Sequence, residues 1–199
     1  MGEICFLEAD GHGQKLDSPE RKNAADGLRA VLERHYAGRP HTETTAAELR
    51  SALAFATFVA NICDWDIAIF LTFAERATSV RAAIGALHRW IADLGKAFHT
   101  GIDYVVMVEC QADGTPHLHG LLISERRLTS KEMRTLRGRW QESHGYERAV
   151  RIPHLTARYR YAGYQLKGFG YLPPENLVVS RGLRHSISTR SRRLPWSSR

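Results

Sequence analysis

Cysteine is scarce in this chain, with three in 199 residues. Cys5, Cys63 and Cys110 are odd in number, widely separated and without metal-binding spacing. That excludes a disulfide framework and a zinc cluster, and reads as reduced thiols of a cytoplasmic protein. Long apolar runs are missing too. The longest, Ala52 to Cys63 and Ile67 to Phe73, fall short of the ~20 residues that span a bilayer, so no membrane partner is expected. The opening MGEICFLEADGHG has no basic stretch followed by a long apolar one, which excludes a secretory signal. There is no internal repeat, and no G-x-x-x-x-G-K-[ST] loop to cradle nucleotide phosphates.

What the chain does have is enough apolar content, 43%, to bury the core of one domain. Its net charge of +7 is unevenly spread: residues 1–125 sum to −6 and residues 126–199 to +13. Such asymmetry points to a polyanion met by one end of the chain, with nucleic acid favoured over acidic lipid.

Periodicity gives alternating helices and strands. Ser18-Pro19 can open a helix through RKNAADGLRAVLERHY, which Gly38 and Pro40 end. Thr44 or Thr45 can cap a second, with Glu48 completing a capping box, running to about Asn61. Asp66 to Phe73 reads as a buried strand, and Thr78 can cap a helix whose Val80, Ile84, Leu87, Ile91 and Leu94 recur at helical spacing. Tyr104 to Cys110 and His117 to Ser124 are strands around the turn signal Asp113-Gly114. A basic helix spans Thr129 to Ser143, with Leu128 and Leu136 on its inner side. A strand follows over Tyr146 to Pro153. Thr156 to Lys167 reads as a helix that Gly168 ends. The fold class expected is α+β, an antiparallel sheet with helices packed on it.

The chemistry concentrates in DGTPHLHGLL. Side chains alternate along a strand, so His117 and His119 share one face. Two neutral imidazoles there make half of a metal site, the alternative being a pair of surface histidines. Glu109 is a candidate third ligand. A strict two-residue turn on Asp113-Gly114 would pair Glu109 with Leu118 and place it on the opposite face; a shift of one residue brings all three together. Pro116, with no N–H to donate, argues for the shifted register and an irregular or bulged loop. Farther on, Tyr161, Tyr164 and Lys167 follow at three-residue steps. A tyrosine hydroxyl, with an ordinary pKa of about 10, attacks well only with a cation beside it or a polarised electrophile. Gly163 within the helix suggests a backbone that approaches DNA closely.

Three motifs together resemble those of the HUH endonucleases, in particular rolling-circle replication initiators. Phe70-Leu71-Thr72-Phe73 resembles the first, with phenylalanine where tyrosine is usual. Glu109 with Pro116-His117-Leu118-His119 resembles the second, and Tyr164-Gln-Leu-Lys167 the third, Y-x-x-K. The resemblance covers roughly half the chain. It implies a ferredoxin/RRM-like sandwich over 63–175; residues 1–60 match nothing in the family. The expected domain organisation makes 1–62 a helical extension packed on the core and 176–199 a basic tail. It implies that Glu109, His117 and His119 hold Mg²⁺ or Mn²⁺, and that Tyr164 cuts single-stranded DNA at a replication origin or hairpin, leaving a 5′-phosphotyrosine link. Lys167 would assist, and Tyr161 is a candidate second nucleophile. With no ATPase motor in the chain, a host helicase would unwind the duplex and a polymerase would extend the free 3′ end.

Basic side chains at Lys131, Arg134, Arg137, Arg148, Arg151, Arg158 and Arg160 are expected to track DNA phosphates, and Trp140 and Trp196 are candidates to stack on bases, with a core position the alternative for Trp140 on its amphipathic helix. Relaxases and single-strand transposases share this chemistry. A non-catalytic single-stranded DNA-binding module is the alternative from another class. His154-Leu155-Thr156 resembles half of a two-histidine phosphoesterase signature, but the second half is missing.

Overall fold

The computed structural model describes residues 18–40, 42–74, 79–111 and 113–184. Cys5, Thr78, Trp196 and the arginines beyond 184 lie outside the described residues.

The elements run α1 (Pro19–Tyr36), α2 (Glu43–Ile62), β1 (Ile67–Thr72), α3 (Val80–Phe98), β2 (Ile102–Cys110), β3 (Pro116–Ser124), α4 (Ser130–Ser143), β4 (Glu147–Arg151), α5 (Leu155–Gln165) and β5 (Leu177–Val179). All strand pairs are antiparallel, in the order β4-β1-β3-β2-β5. From β1 to β4 the chain therefore reads β-α-β-β-α-β with order 4-1-3-2, the split arrangement of ferredoxin-like folds. The expected α+β class with a central antiparallel sheet and flanking helices is what the chain adopts.

Strand alternation divides the molecule into two cores. Ile67, Ile69 and Leu71 of β1 face α3 and α4, with Leu87, Trp90, Leu94, Leu136 and Trp140. Ala68 and Phe70 face the other way, under α1, α2 and α5, with Leu28, Leu32, Val59 and Tyr159. Trp140 is fully buried and packs edge-on against Phe73 and Trp90, so it is core rather than a platform for bases.

Local signals set most of the ends. Ser18 caps α1 by accepting the Arg21 N–H. Thr129 caps α4 in a reciprocal box with Glu132. Thr42, not Thr44 or Thr45, caps α2, and Glu48 pairs with Arg39 at 2.6 Å instead of closing a capping box. Ser79 caps α3. The innermost residues of α2 are Ala52, Ala56, Val59 and Ala60, because small side chains let it lie close; Leu53, Phe55 and Phe58 are only half-buried.

Two boundaries differ from the sequence reading. The last helix stops at Gln165, and Lys167–Gly170 form a separate 3-10 turn, so Gly168 is no helix terminator. The fold also continues past residue 175: β5 joins the sheet edge beside β2, Asn176 donates to the Val108 carbonyl at 2.8 Å, and Leu183 is buried. No disulfide forms among the described residues, and no helix among them is long and apolar enough to cross a membrane.

Candidate active site

The hairpin between β2 and β3 decides whether the acid and the imidazoles meet. Cys110 pairs with Pro116, so Glu109 stands directly opposite His117, and Met107 opposite His119. The connection is closed by Gln111 N–H donating to the Thr115 carbonyl and Gly114 N–H to the Gln111 carbonyl, both 2.9 Å. Gly114 carries φ +83°, a conformation glycine adopts without steric cost. This register, one residue away from that of a two-residue turn on Asp113-Gly114, puts Glu109 on the same face as His117 and His119. The shifted register expected from Pro116 is present.

The neighbouring strand completes the setting. Phe70 and Thr72 of β1 are the cross-strand partners of His119 and His117. The Thr72 hydroxyl and His117 Nδ1 share a hydrogen bond of 2.5 Å, which holds the ring and leaves Nε2 as the nitrogen for a metal. The two imidazole centroids are 4.4 Å apart. Burial lowers both histidines: His117 falls to about 4, helped by the charges of His119 and Lys167, and His119 stays below its ordinary value despite the Glu109 carboxylate beside it. Both imidazoles are therefore neutral at neutral pH, as metal ligands must be. Burial pulls the other way on Glu109, but the His119 ring and the Lys167 ammonium overcome it and hold its carboxyl at about 2.

The last helix delivers the tyrosine. Tyr164 is 44% exposed, its ring 5.4 Å from that of His119 and 5.7 Å from that of Phe70. Lys167 comes from the 3-10 turn beyond, its Nζ 2.5 Å from Glu109 Oε2 and 5.1 Å from the Tyr164 ring centroid. Gly168 lets this turn approach: a Cβ there would stand 3.0 Å from Glu109 Oε1.

Two neutral imidazoles and a carboxylate are donors suited to a divalent ion. Glu109 Oε1 and His119 Nδ1 are buried without a partner, and His119 Nε2 to Glu109 Oε2, at 3.4 Å, is longer than a charge-assisted hydrogen bond. The donor set fits a metal, with Glu109 Oε1 and His117 Nε2 its open members. It is not a closed cage, because Lys167 already holds Glu109 Oε2. Among the described residues no three His, Cys, Asp or Glu side chains converge as a ready-made metal group.

Other candidates separate from this cluster. Tyr161, one turn before Tyr164, packs against the α1–α2 core. Gly163 serves helix packing rather than DNA approach, since a Cβ there would lie 3.2 Å from Leu28 Cγ and from the Leu28 carbonyl. Lys131, Arg134 and Arg137 ride on α4, across the sheet from the site, and Arg137 donates to the Ala149 carbonyl. Arg151 is tied to Asp66 and to the Leu128 carbonyl, and Arg158 to Asp64. Arg160 is exposed, its stem against Gly27 of α1. Arg148 alone of the seven stands beside the site, 5.9 Å over the Phe70 ring.

Some members gave no signal in the sequence. Gln165 is fully buried with neither amide atom partnered. From α1, Tyr36 donates to the Lys167 carbonyl at 3.1 Å, and His35 Nε2 meets the Tyr171 hydroxyl at 3.1 Å under the Arg39 guanidinium. Burial raises Tyr36 and Tyr171 to about 12, which keeps both protonated and poor as nucleophiles. Contacts across more than a hundred residues bring Tyr36 and His35 here. Comparison with protein families, with curated proteins and with solved structures finds no match to this chain.

Proposed function

We propose that this protein nicks and rejoins single-stranded DNA through a tyrosyl phosphodiester, in the manner of a rolling-circle replication initiator. One observation carries the reading: an exposed tyrosine, Tyr164, stands beside a carboxylate–diimidazole cluster and the lysine that joins it, its ring 5.4 Å from that of His119.

Glu109, His117 and His119 would hold Mg²⁺ or Mn²⁺, which when bound supplies Lewis-acid polarisation of the scissile phosphate. The rest falls to the chain. Tyr164 Oη loses its proton and attacks phosphorus as the P–O3′ bond breaks, so one phosphodiester replaces another, and a proton taken up by the departing 3′ oxygen balances the one released from Oη. The link keeps the energy of the original ester, so the strand is resealed by the reverse attack of a 3′ hydroxyl without ATP. Lys167 lies close enough to Tyr164 to answer the negative charge that gathers on the phenolic oxygen and the transferred phosphoryl group. Thr72 fixes the His117 ring through Nδ1. Phe70 supports the Tyr164 and His119 rings from β1.

The test mixes the full chain with single-stranded oligonucleotides carrying a replicon origin or hairpin, in Mn²⁺. A denaturation-resistant protein–DNA adduct is expected, lost in Tyr164→Phe and in EDTA but kept in Tyr161→Phe. An adduct kept by Tyr164→Phe would move the nucleophile. Strand binding without cleavage across such a set would leave a binding module.

A further inference from the structure

At the end of the sheet away from the hairpin lies a cavity of about 340 Å³. It opens between the start of β1, the end of β3 and the loop leading into α5. Ile123, Ile152 and Trp65 give it an apolar wall, and Arg127, His154 and Arg158 line it with cationic or hydrogen-bonding groups. Two carboxylates are also present, but each is already engaged. Asp66 receives Arg151 on both oxygens, at 3.3 and 3.0 Å. Asp64 binds Arg158 at 2.7 Å through a side chain that is 88% exposed, a pair that water weakens.

Donors are left over. Arg127 has no carboxylate partner among the described residues, and Arg158 Nε is buried with none. An apolar wall beside two guanidiniums with unspent N–H groups matches a nucleotide, whose phosphate takes the forked donors and whose base takes the wall. The volume is within the range of small-ligand sites. The position suits the strand as well, since α5 begins at this cavity and carries Tyr164 near its other end, about 14 Å away at 1.5 Å per residue.

From this we infer that the cavity is a second nucleotide subsite. It holds one nucleotide of the single strand, a few positions from the phosphate presented to Tyr164, with Arg127 and Arg158 on the phosphate and Ile123 and Ile152 against the base. The inference rests on the strand-cleavage reading for its ligand, and its test does not use cleavage.

The full-length Tyr164→Phe protein, without metal, is bound to single-stranded oligonucleotides carrying 5-iododeoxyuridine at successive positions, irradiated, and mapped by mass spectrometry. Crosslinks to residues 123–127 or 152–158 are expected from one or two adjacent positions only. Arg127→Glu, an exposed change, should weaken binding about tenfold for strands long enough to reach the cavity and leave strands confined to the hairpin end unchanged. Asp64→Asn should tighten the long strands about threefold by releasing Arg158. Equal effects on both lengths, or crosslinks spread without preference, would overturn the subsite. A cavity crosslink in a protein whose wild type forms no tyrosyl adduct keeps the subsite and removes the nuclease; an adduct without the crosslink does the reverse.

Discussion

Lys167 and a divalent ion compete for one carboxylate. With Nζ 2.5 Å from Glu109 Oε2, the ammonium already neutralises the acid, and a second cation at that oxygen must displace it or take Oε1 against its charge. Lys167→Met removes the competitor, and Mn²⁺ affinity read by electron paramagnetic resonance should rise about tenfold, a change of about 1.4 kcal/mol. Unchanged or weaker affinity would show that Lys167 does not share the ligand position. The Y-x-x-K spacing named this residue, but the contact with Glu109 was beyond it, because the helix that the spacing assumed stops at Gln165. A second buried acid was not legible at all. Glu147 has both carboxylate oxygens buried without a partner, and burial raises it to about 7 despite Arg137 nearby. Its folded pKa lies above the unfolded value of 4.5, so the folded state keeps a proton that the unfolded chain releases. Its contribution to stability is therefore fully present below pH 4.5 and lost as pH rises to 7, on the order of 3 kcal/mol. His117 works oppositely: lowered to about 4, it stabilises above pH 6.5 and is lost as pH falls towards 4. The two overlap, so the measurement is the difference between wild type and Glu147→Gln in urea melts across pH. The variant should gain steadily on wild type from pH 4.5 to 7, and a flat difference would show that the acid is not buried alone.

Elements show where local chemistry suffices. The Thr129–Glu132 capping box is complete within four residues, and α4 begins there in sequence and structure alike. Thr129→Ala should cost about 1 kcal/mol, seen as a fall in melting temperature of roughly 2–4 °C. The β2–β3 hairpin is a case in which local signals suffice only when read together. Asp113-Gly114 alone suggests a two-residue turn, whereas Pro116 at the head of β3 shifts the pairing to Cys110–Pro116. Gly114→Val puts a branched side chain at φ +83°, a cost of roughly 1–2 kcal/mol, and threatens the register that places Glu109. Urea melts give the cost, and loss of Mn²⁺ binding beyond that expected from unfolding would show the register slipping. Gly163 and Gly168 marked nothing correctly by themselves. Gly163 makes room for Leu28, far away in the chain, and Gly168 for Leu172 close by as well as for distant Glu109.

Across the described residues, the basic side chains from 126 to 184 do not gather into a basic face at the site. Strand alternation and the 4-1-3-2 order send α4 to one layer and α5 to the other. Arg148→Glu should therefore weaken single-strand binding about tenfold, while Lys131→Glu with Arg134→Glu leaves the adduct rate at saturating DNA unchanged. The reverse ranking would mean that the strand runs over α4. The sequence by itself determined α1 to α5 and β1 to β4 and the sheet class, and it named Glu109, His117, His119, Tyr164 and Lys167 as candidates, because periodicity, caps and short motifs are local properties. Tertiary structure alone decided which tyrosine faces the imidazoles, that α1 reaches across to hold the Lys167 carbonyl, that Lys167 sits on Glu109, and which arginines remain unspent. Those outcomes depend on how two layers close over one sheet, and a side chain's partner across that closure is not written in its own neighbourhood.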